Sequence, residues 1–238
     1  MPSAAPGVRF GLRAAMPRVL VVLLFATAMA YVEAAAVLYL RTLYGGVDPL
    51  HRSRPPLTPV PDLLGIEVGR EAATIVMLAT VGWLAGRGPT GRLGGFLAAF
   101  GAWDIGYYVF LWVFAGWPAS PMAGDILFLL PLPWWGPVLA PALIAAVLVA
   151  TGGLLLAREA GDGGPGRPGR QVWLLVLGGG GLCLIAFTAD ALLALPRGLN
   201  AAFAVHGVDA FPWPLYLAGL LCGSVGLGLA VTRHGDPA

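Results

Sequence analysis

The sequence predicts an all-α integral membrane protein that crosses the bilayer six times, and three observations support this fold class. Of its 238 residues, 58% are hydrophobic and only 11% are charged, with a mean hydropathy of +0.81. Soluble domains carry about 25% charged residues, so this protein has too few polar side chains to cover a water-facing surface. Apolar runs of about 20 residues, the length that spans a bilayer, recur along the chain. Segments rich in Pro and Gly separate these runs.

Six apolar runs define the predicted helices and the domain organisation. They lie at about residues 19–40, 63–85, 93–114, 138–157, 172–195 and 213–231. Together they form one transmembrane domain over residues 19–232. Residues 1–18 form a polar N-terminal arm, and residues 233–238 form a short tail. The sequence predicts neither an internal repeat nor a soluble domain.

The first apolar run also has the pattern of a secretory signal peptide. Its start is basic, and Ala28-Met29-Ala30 has the small residues of a cleavage site. The apolar stretch nevertheless continues past that site to a spanning length, which favours an uncleaved first helix. Cleavage after Ala30 would leave five helices, and their orientation would be unchanged.

The segment between the third and fourth helices contains an apolar stretch, Ile126 to Leu132, that is too short to cross a membrane. Pro131 and Pro133 interrupt it, and proline breaks a helix interior. We therefore expect either a short interfacial helix or a re-entrant half-helix here. Either would suit the rim of a pocket.

The distribution of arginine predicts the orientation, because cytoplasmic loops carry an excess of Lys and Arg. With the N-terminus inside, nine arginines are cytoplasmic: Arg9, Arg13, Arg18, Arg87, Arg92, Arg158, Arg167, Arg170 and Arg233. Four are then outside: Arg41, Arg52, Arg54 and Arg197. We expect a multi-pass protein of the bacterial inner (cytoplasmic) membrane with both termini in the cytoplasm. An aromatic belt is then expected at the outer interface, formed by Trp117, Trp134, Trp135 and Trp213.

The second helix carries ionisable side chains within its apolar run. Glu67, Arg70, Glu71 and Thr74 are spaced at i, i+3, i+4 and i+7, which places them on one helical face. A charged side chain near the bilayer centre costs about 2.5 to 3.5 kcal/mol on insertion scales. This face is therefore predicted to point into a protein-lined or wet interior.

Other ionisable residues lie within the first, third and fifth helices, at depths in the middle or outer half of the predicted membrane. The candidate ligand-binding residues are Glu33, Glu67, Arg70, Glu71, Asp104, Tyr107, Tyr108 and Asp190. They include five carboxylates and one guanidinium. This excess of negative charge favours bound protons, a metal ion or a cationic ligand. We predict that these residues form an outward-facing polar pocket.

Each candidate residue also has a structural explanation. Arg70 and a neighbouring glutamate would form a neutral pair inside a helix bundle. Asp104 would hydrogen-bond to a tyrosine one turn later in the same helix. Asp190, near the end of its helix, would face water.

Several motifs of known chemistry are absent from the sequence. The chain has no H-E-x-x-H, Walker, C-x-x-C or G-x-S-x-G motif. Cys183 and Cys222 lie in apolar helices and predict neither a disulfide nor a metal site. His51 and His206 lie in loops and would become metal ligands only if these loops folded over the carboxylates. We therefore predict no metal site, and the sequence leaves any cofactor unknown.

Three functions fit these observations. The first is binding or transport of an ion or small solute at the carboxylates. The second is structural, as an assembly subunit of a larger membrane complex. The third is intramembrane catalysis on a lipid-linked substrate, with Glu71 or Asp104 as general base. The expected partners are membrane lipids and further subunits, either copies of this chain or members of a larger complex. Nucleic acid is not an expected partner.

Overall fold

The computed structural model describes residues 11–43, 64–161, 168–198, 201–202 and 211–232. Six helices in these ranges are long and apolar enough to cross a membrane, which confirms the predicted all-helical, polytopic fold. They are α1 (Leu12–Leu43), α2 (Leu64–Ala85), α3 (Pro89–Ala115), α4 (Leu139–Ala160), α5 (Arg170–Ala194) and α6 (Trp213–Thr232). The predicted surface histidines, His51 and His206, lie outside the described residues, as do most of the N-terminal arm and the C-terminal tail.

The first helix begins well before its predicted start at residue 19, because tertiary packing extends it. The backbone N–H of Gly11 donates to the carbonyl of Ala157 on α4 at 2.8 Å. Ala15 is fully buried. A β-carbon at Gly11 would lie 2.8 Å from the backbone nitrogen of Gly161. The start of α1 is thus fixed against the end of α4, a contact that hydropathy alone does not indicate.

The segment between α3 and α4 is short and does not span, as predicted, but it forms a β-hairpin instead of a helix. Strand β1 (Gly124–Phe128) pairs antiparallel with β2 (Trp134–Pro137). Asp125 lies opposite Gly136, and the register shifts between Ile126 and Phe128. Prolines in the connection and at the end of β2 are compatible with turns and strand ends but not with a helix interior.

Helix α3 occupies the centre of the bundle and contacts α4, α1 and α2, whereas α5 pairs mainly with α6. Glycine allows these helices to approach closely. A β-carbon at Gly94 would lie 2.8 Å from the β-carbon of Leu155 and 2.9 Å from the carbonyl oxygen of Gly152. In the four-glycine run of α5, Gly179 faces α6, while Gly180 and Gly181 have no atom within 4 Å of an added β-carbon.

Two of the four tryptophans that were expected at the outer interface are buried within the protein. Trp117 and Trp135 are buried, with 7% and 3% of their surface exposed. Trp134 stacks on Phe187 of α5, with 5.9 Å between the ring centroids. These rings pack within the protein because the hairpin folds onto the helix ends.

At the end of the bundle opposite the hairpin, a carboxylate joins three elements. Glu159 of α4 forms an ion pair with Arg18 of α1 at 2.8 Å and accepts hydrogen bonds from the backbone N–H groups of Arg87 and Gly88. Arg18 also donates to the carbonyl of Ala85 at 3.2 Å. We call these five residues the Glu159 cluster. Between it and the hairpin end lies a buried apolar core from α1, α2 and α3: Val22, Ala26, Ala30, Leu78, Ala98, Ala99 and Trp103.

Candidate functional site

Ionisable residues from three helices lie at one level of the bundle. At about 1.5 Å per residue, Glu33, Glu71 and Asp104 lie roughly 21 to 24 Å along their helices from the Glu159 cluster. This agreement in height follows from the antiparallel course of α1, α2 and α3. It places the three carboxylates at the hairpin end.

Arg70 joins α2 to α1 through two carboxylates. Its Nε and Nη2 atoms donate to Oε2 of Glu67 at 3.0 and 2.7 Å. Its Nη1 atom pairs with Oε1 of Glu33. Thr74, one turn further along α2, approaches Oε2 of Glu33 at 3.4 Å. The helical spacing indicated a pair within α2, and the structure adds Glu33 from the neighbouring helix.

Glu71 contacts the hairpin instead of forming an ion pair with Arg70. Both oxygens of its carboxylate accept from the backbone N–H of Leu129, at 2.9 and 3.1 Å. Glu71 is only 8% exposed, and Leu129 is also buried. Because Leu129 follows β1 directly, Glu71 satisfies a backbone donor that the strand ladder does not use.

A second contact fixes the other end of β1. Tyr108 of α3 donates to Oδ2 of Asp125 at 3.3 Å. Asp125 is buried, with 3% of its surface exposed. Asp125 was not among the predicted site residues, because it precedes the short apolar stretch and lies outside every predicted helix. An aspartate opening a stretch too short to span was the available signal.

These side chains enclose a cavity of about 60 Å³ between α1, α2, α3 and the hairpin. Three carboxylates and one guanidinium contribute to its wall. The lining residues are Glu33, Val37, Arg70, Glu71, Thr74, Trp103, Asp104, Tyr107, Tyr108, Ile126, Leu127 and Phe128.

Two polar atoms at the cavity have no partner within the described part of the chain. Oδ2 of Asp104 is buried and accepts no hydrogen bond, and Nε1 of Trp103 is buried and donates none. Both residues line the cavity. Buried polar atoms are normally satisfied by protein or by ordered molecules. Two residues of the cavity wall therefore carry a polar atom, one acceptor and one donor, without a hydrogen-bond partner among the described residues.

Most of the predicted site residues come together at this cavity. Six of the eight line it: Glu33, Arg70, Glu71, Asp104, Tyr107 and Tyr108. Glu67 is joined to them through Arg70. Asp190 does not line the cavity. It lies on α5, which contacts α6 and β2, so its depth in the membrane did not indicate its neighbours.

No protein-family model, curated protein or solved structure matches this chain. Among the described residues, no group of three or more His, Cys, Asp or Glu side chains has a geometry that could hold a metal ion. The site combines carboxylates with aromatic walls.

Proposed function

We propose that this protein binds a small ammonium-type cation in the cavity, as the first step of transporting it across the membrane. The observation that carries the proposal is the buried Oδ2 of Asp104, which lines the cavity and has no hydrogen-bond partner among the described residues. An ammonium group would supply both the missing donor and the opposite charge.

The charge balance around the cavity supports a cationic ligand. Glu67 and Glu33 share the guanidinium of Arg70. Glu71 is stabilised by a backbone N–H, which carries no net charge. Oδ2 of Asp104 has neither an ion-pair partner nor a hydrogen-bond donor among the described residues. Because burying an uncompensated charge is costly, a bound cation would lower the free energy of the site.

The size and walls of the cavity support an ammonium group. At roughly 15 Å³ for each water-sized group, a volume of about 60 Å³ holds about four such groups. This space suits a methylammonium-sized cation with one or two waters, but not a lipid head group. Trp103, Tyr107 and Phe128 contribute aromatic surface, and aromatic faces attract ammonium ions.

The proposed orientation places the cavity on the outer side of the bacterial inner membrane, with both termini cytoplasmic. This assignment rests on the nine arginines against four in the predicted loops. Transport would then require the apolar core below the cavity to separate, because that core contains fully buried side chains such as Val22 and Leu78.

Equilibrium binding of radiolabelled methylammonium to purified protein in detergent tests the proposal. Asp104→Asn removes the charge but keeps the side-chain size and breaks no hydrogen bond at Oδ2, so the protein is expected to fold. We expect binding to the wild type and at least tenfold weaker binding to the variant, as expected when a charged hydrogen bond worth about 1.5 to 3 kcal/mol is lost. Equal binding by both proteins, or binding by neither, would overturn the proposal.

A second candidate function, assembly within a membrane complex, is favoured by the two contacts that fix the hairpin. Glu71 and Tyr108 have a structural role there, since each joins a helix to the hairpin. On this alternative Asp104→Asn would alter the mass of the purified complex, or its yield, and no methylammonium would bind. Size-exclusion chromatography of both proteins in the same detergent measures this. Catalysis on a lipid-linked substrate is less well supported, because the cavity is smaller than a head group.

A further inference from the structure

We infer that Arg70 is an internal competitor for the cation: its guanidinium occupies Glu33 in the empty site, and the incoming ammonium group displaces it. This inference rests on the proposed function and concerns how the same site is regulated. The structure provides the two features that such an exchange needs. The first feature is the guanidinium of Arg70, which is already paired with the cavity-lining carboxylate of Glu33. The second feature is the carboxylate of Glu67, which stays bound to Arg70 after the displacement.

The contacts of Arg70 divide into one that can be exchanged and two that can persist. Nη1 alone pairs with Glu33, which lines the cavity. Nε and Nη2 both donate to a single oxygen of Glu67, three residues earlier on the same helix. Rotation of the guanidinium away from Glu33 therefore leaves its contacts with Glu67 available. Glu67 belongs to α2 itself, so this movement does not require α1 and α2 to separate.

The exchange keeps the buried carboxylate of Glu33 neutralised throughout. Glu33 is only 11% exposed in its side chain, whereas Arg70 is 27% exposed. An unpaired carboxylate at this depth would be costly. When an ammonium group replaces Nη1, one cation substitutes for another. Glu33 can then act with Thr74 and Asp104, which also line the cavity, as the acceptors for the ligand.

A competitor lowers the apparent affinity of the wild-type protein, because only the fraction of molecules with Glu33 released can bind the ligand. Removing the competitor should therefore strengthen binding, although the removed side chain lines the site. Removing the second carboxylate should weaken binding, because Arg70 then has no partner to receive it. Competition therefore predicts opposite changes in affinity for the two substitutions. The simple loss of a binding residue would weaken binding in both.

Methylammonium binding to three variants tests the inference. Arg70→Gln removes the competitor, and we expect about tenfold tighter binding, because the ligand no longer has to displace the ion pair between Nη1 and Glu33. Glu67→Gln removes the alternative partner at the more exposed edge of the group, and we expect at least threefold weaker binding. Arg87→Gln is the matched control. It removes the same charge from an exposed side chain in the turn after α2, at the other end of the bundle, and it should bind as the wild type does.

The outcomes distinguish this inference from the proposed function. Wild-type binding that is lost in Asp104→Asn, together with unchanged or weaker binding in Arg70→Gln, would overturn the competition and leave the cation site in place. If neither the wild type nor Arg70→Gln binds methylammonium, the cation site itself is refuted. Should Arg70→Gln fail to fold, Glu67→Gln decides alone: unchanged or tighter binding by that variant refutes competition.

Discussion

At the scale of single residues, the polar side chains around the cavity include two contrasting kinds. Glu71 and Tyr108 each direct a polar atom at the hairpin, to the N–H of Leu129 and to the carboxylate of Asp125. Asp104 instead lines the cavity and has an Oδ2 atom without a hydrogen-bond partner among the described residues. Residues of the first kind should change stability when substituted, and residues of the second kind should change binding.

Substitution of Glu71 tests the first kind. Glu71→Ala leaves the buried N–H of Leu129 without its acceptor, which should lower the free energy of unfolding by about 1 to 3 kcal/mol. Glu71→Gln retains an acceptor oxygen at the same reach and should lose less than half as much. Thermal unfolding in detergent measures both variants. Equal stability of Glu71→Ala and the wild type would show that the contact with Leu129 contributes nothing.

Sequence reasoning at this scale was limited by what spacing can show. Sequence left open whether Glu67 or Glu71 pairs with Arg70, and the structure selects Glu67, at the i, i+3 spacing. The choice depends on the hairpin, which takes Glu71 for its own backbone, and on α1, which brings Glu33. Asp190 was grouped with the other candidate residues because of its predicted depth in the membrane. Depth alone does not indicate which helices are neighbours.

At the scale of secondary-structure elements, close packing is concentrated at particular glycines. A β-carbon at Gly179 of α5 would lie 2.8 Å from the Cα atom of Gly223 on α6, whereas Gly180 has no atom within 4 Å of the same position. Adjacent helical residues point about 100° apart. Only one glycine of this pair can therefore lie in the contact.

Alanine substitutions in this run should accordingly differ. Gly179→Ala forces α5 and α6 apart and should cost about 1 to 3 kcal/mol, as overpacking does. Gly180→Ala adds a methyl group without a clash and should be neutral, or stabilising by up to about 1 kcal/mol through helix propensity. The midpoint of thermal unfolding for the two purified variants provides the comparison. Similar losses for both would contradict the observed face of contact.

The elements themselves differed in how well the sequence predicted them. Long apolar runs identify spanning helices because a bilayer imposes both length and composition. The hairpin was missed because a seven-residue apolar stretch, Ile126 to Leu132, has the same composition in a strand as in a short helix. Its strands depend on contacts with Glu71, Tyr108 and Phe187, which are distant in sequence.

At the scale of the whole molecule, the cavity and the Glu159 cluster lie at opposite ends of the bundle. Orientation therefore decides from which side a solute reaches Asp104. With the N-terminus inside, Met122, which is 59% exposed next to the hairpin, faces the outside. The exposed side chain of Arg87 then faces the cytoplasm.

Cysteine labelling tests this orientation. Cys183 and Cys222 are first replaced by alanine, and a single cysteine is then introduced by Met122→Cys or Arg87→Cys. A membrane-impermeant maleimide should label Met122→Cys in intact cells at least tenfold more than Arg87→Cys, and disruption of the membrane should equalise them. The cysteine-free protein provides the background. Preferential labelling of Arg87→Cys would reverse the topology and place the cavity on the cytoplasmic side.

The Glu159 cluster has a consequence for any movement of the bundle at that end. A single carboxylate holds the arginine of one helix and two backbone amides of the turn between two others. If the Glu159 carboxylate moves to break its contact with one partner, its hydrogen bonds to the other partners are distorted as well. We therefore expect α1, α4 and the α2–α3 turn to separate together at this end of the bundle. Separation of only two of these elements is not expected.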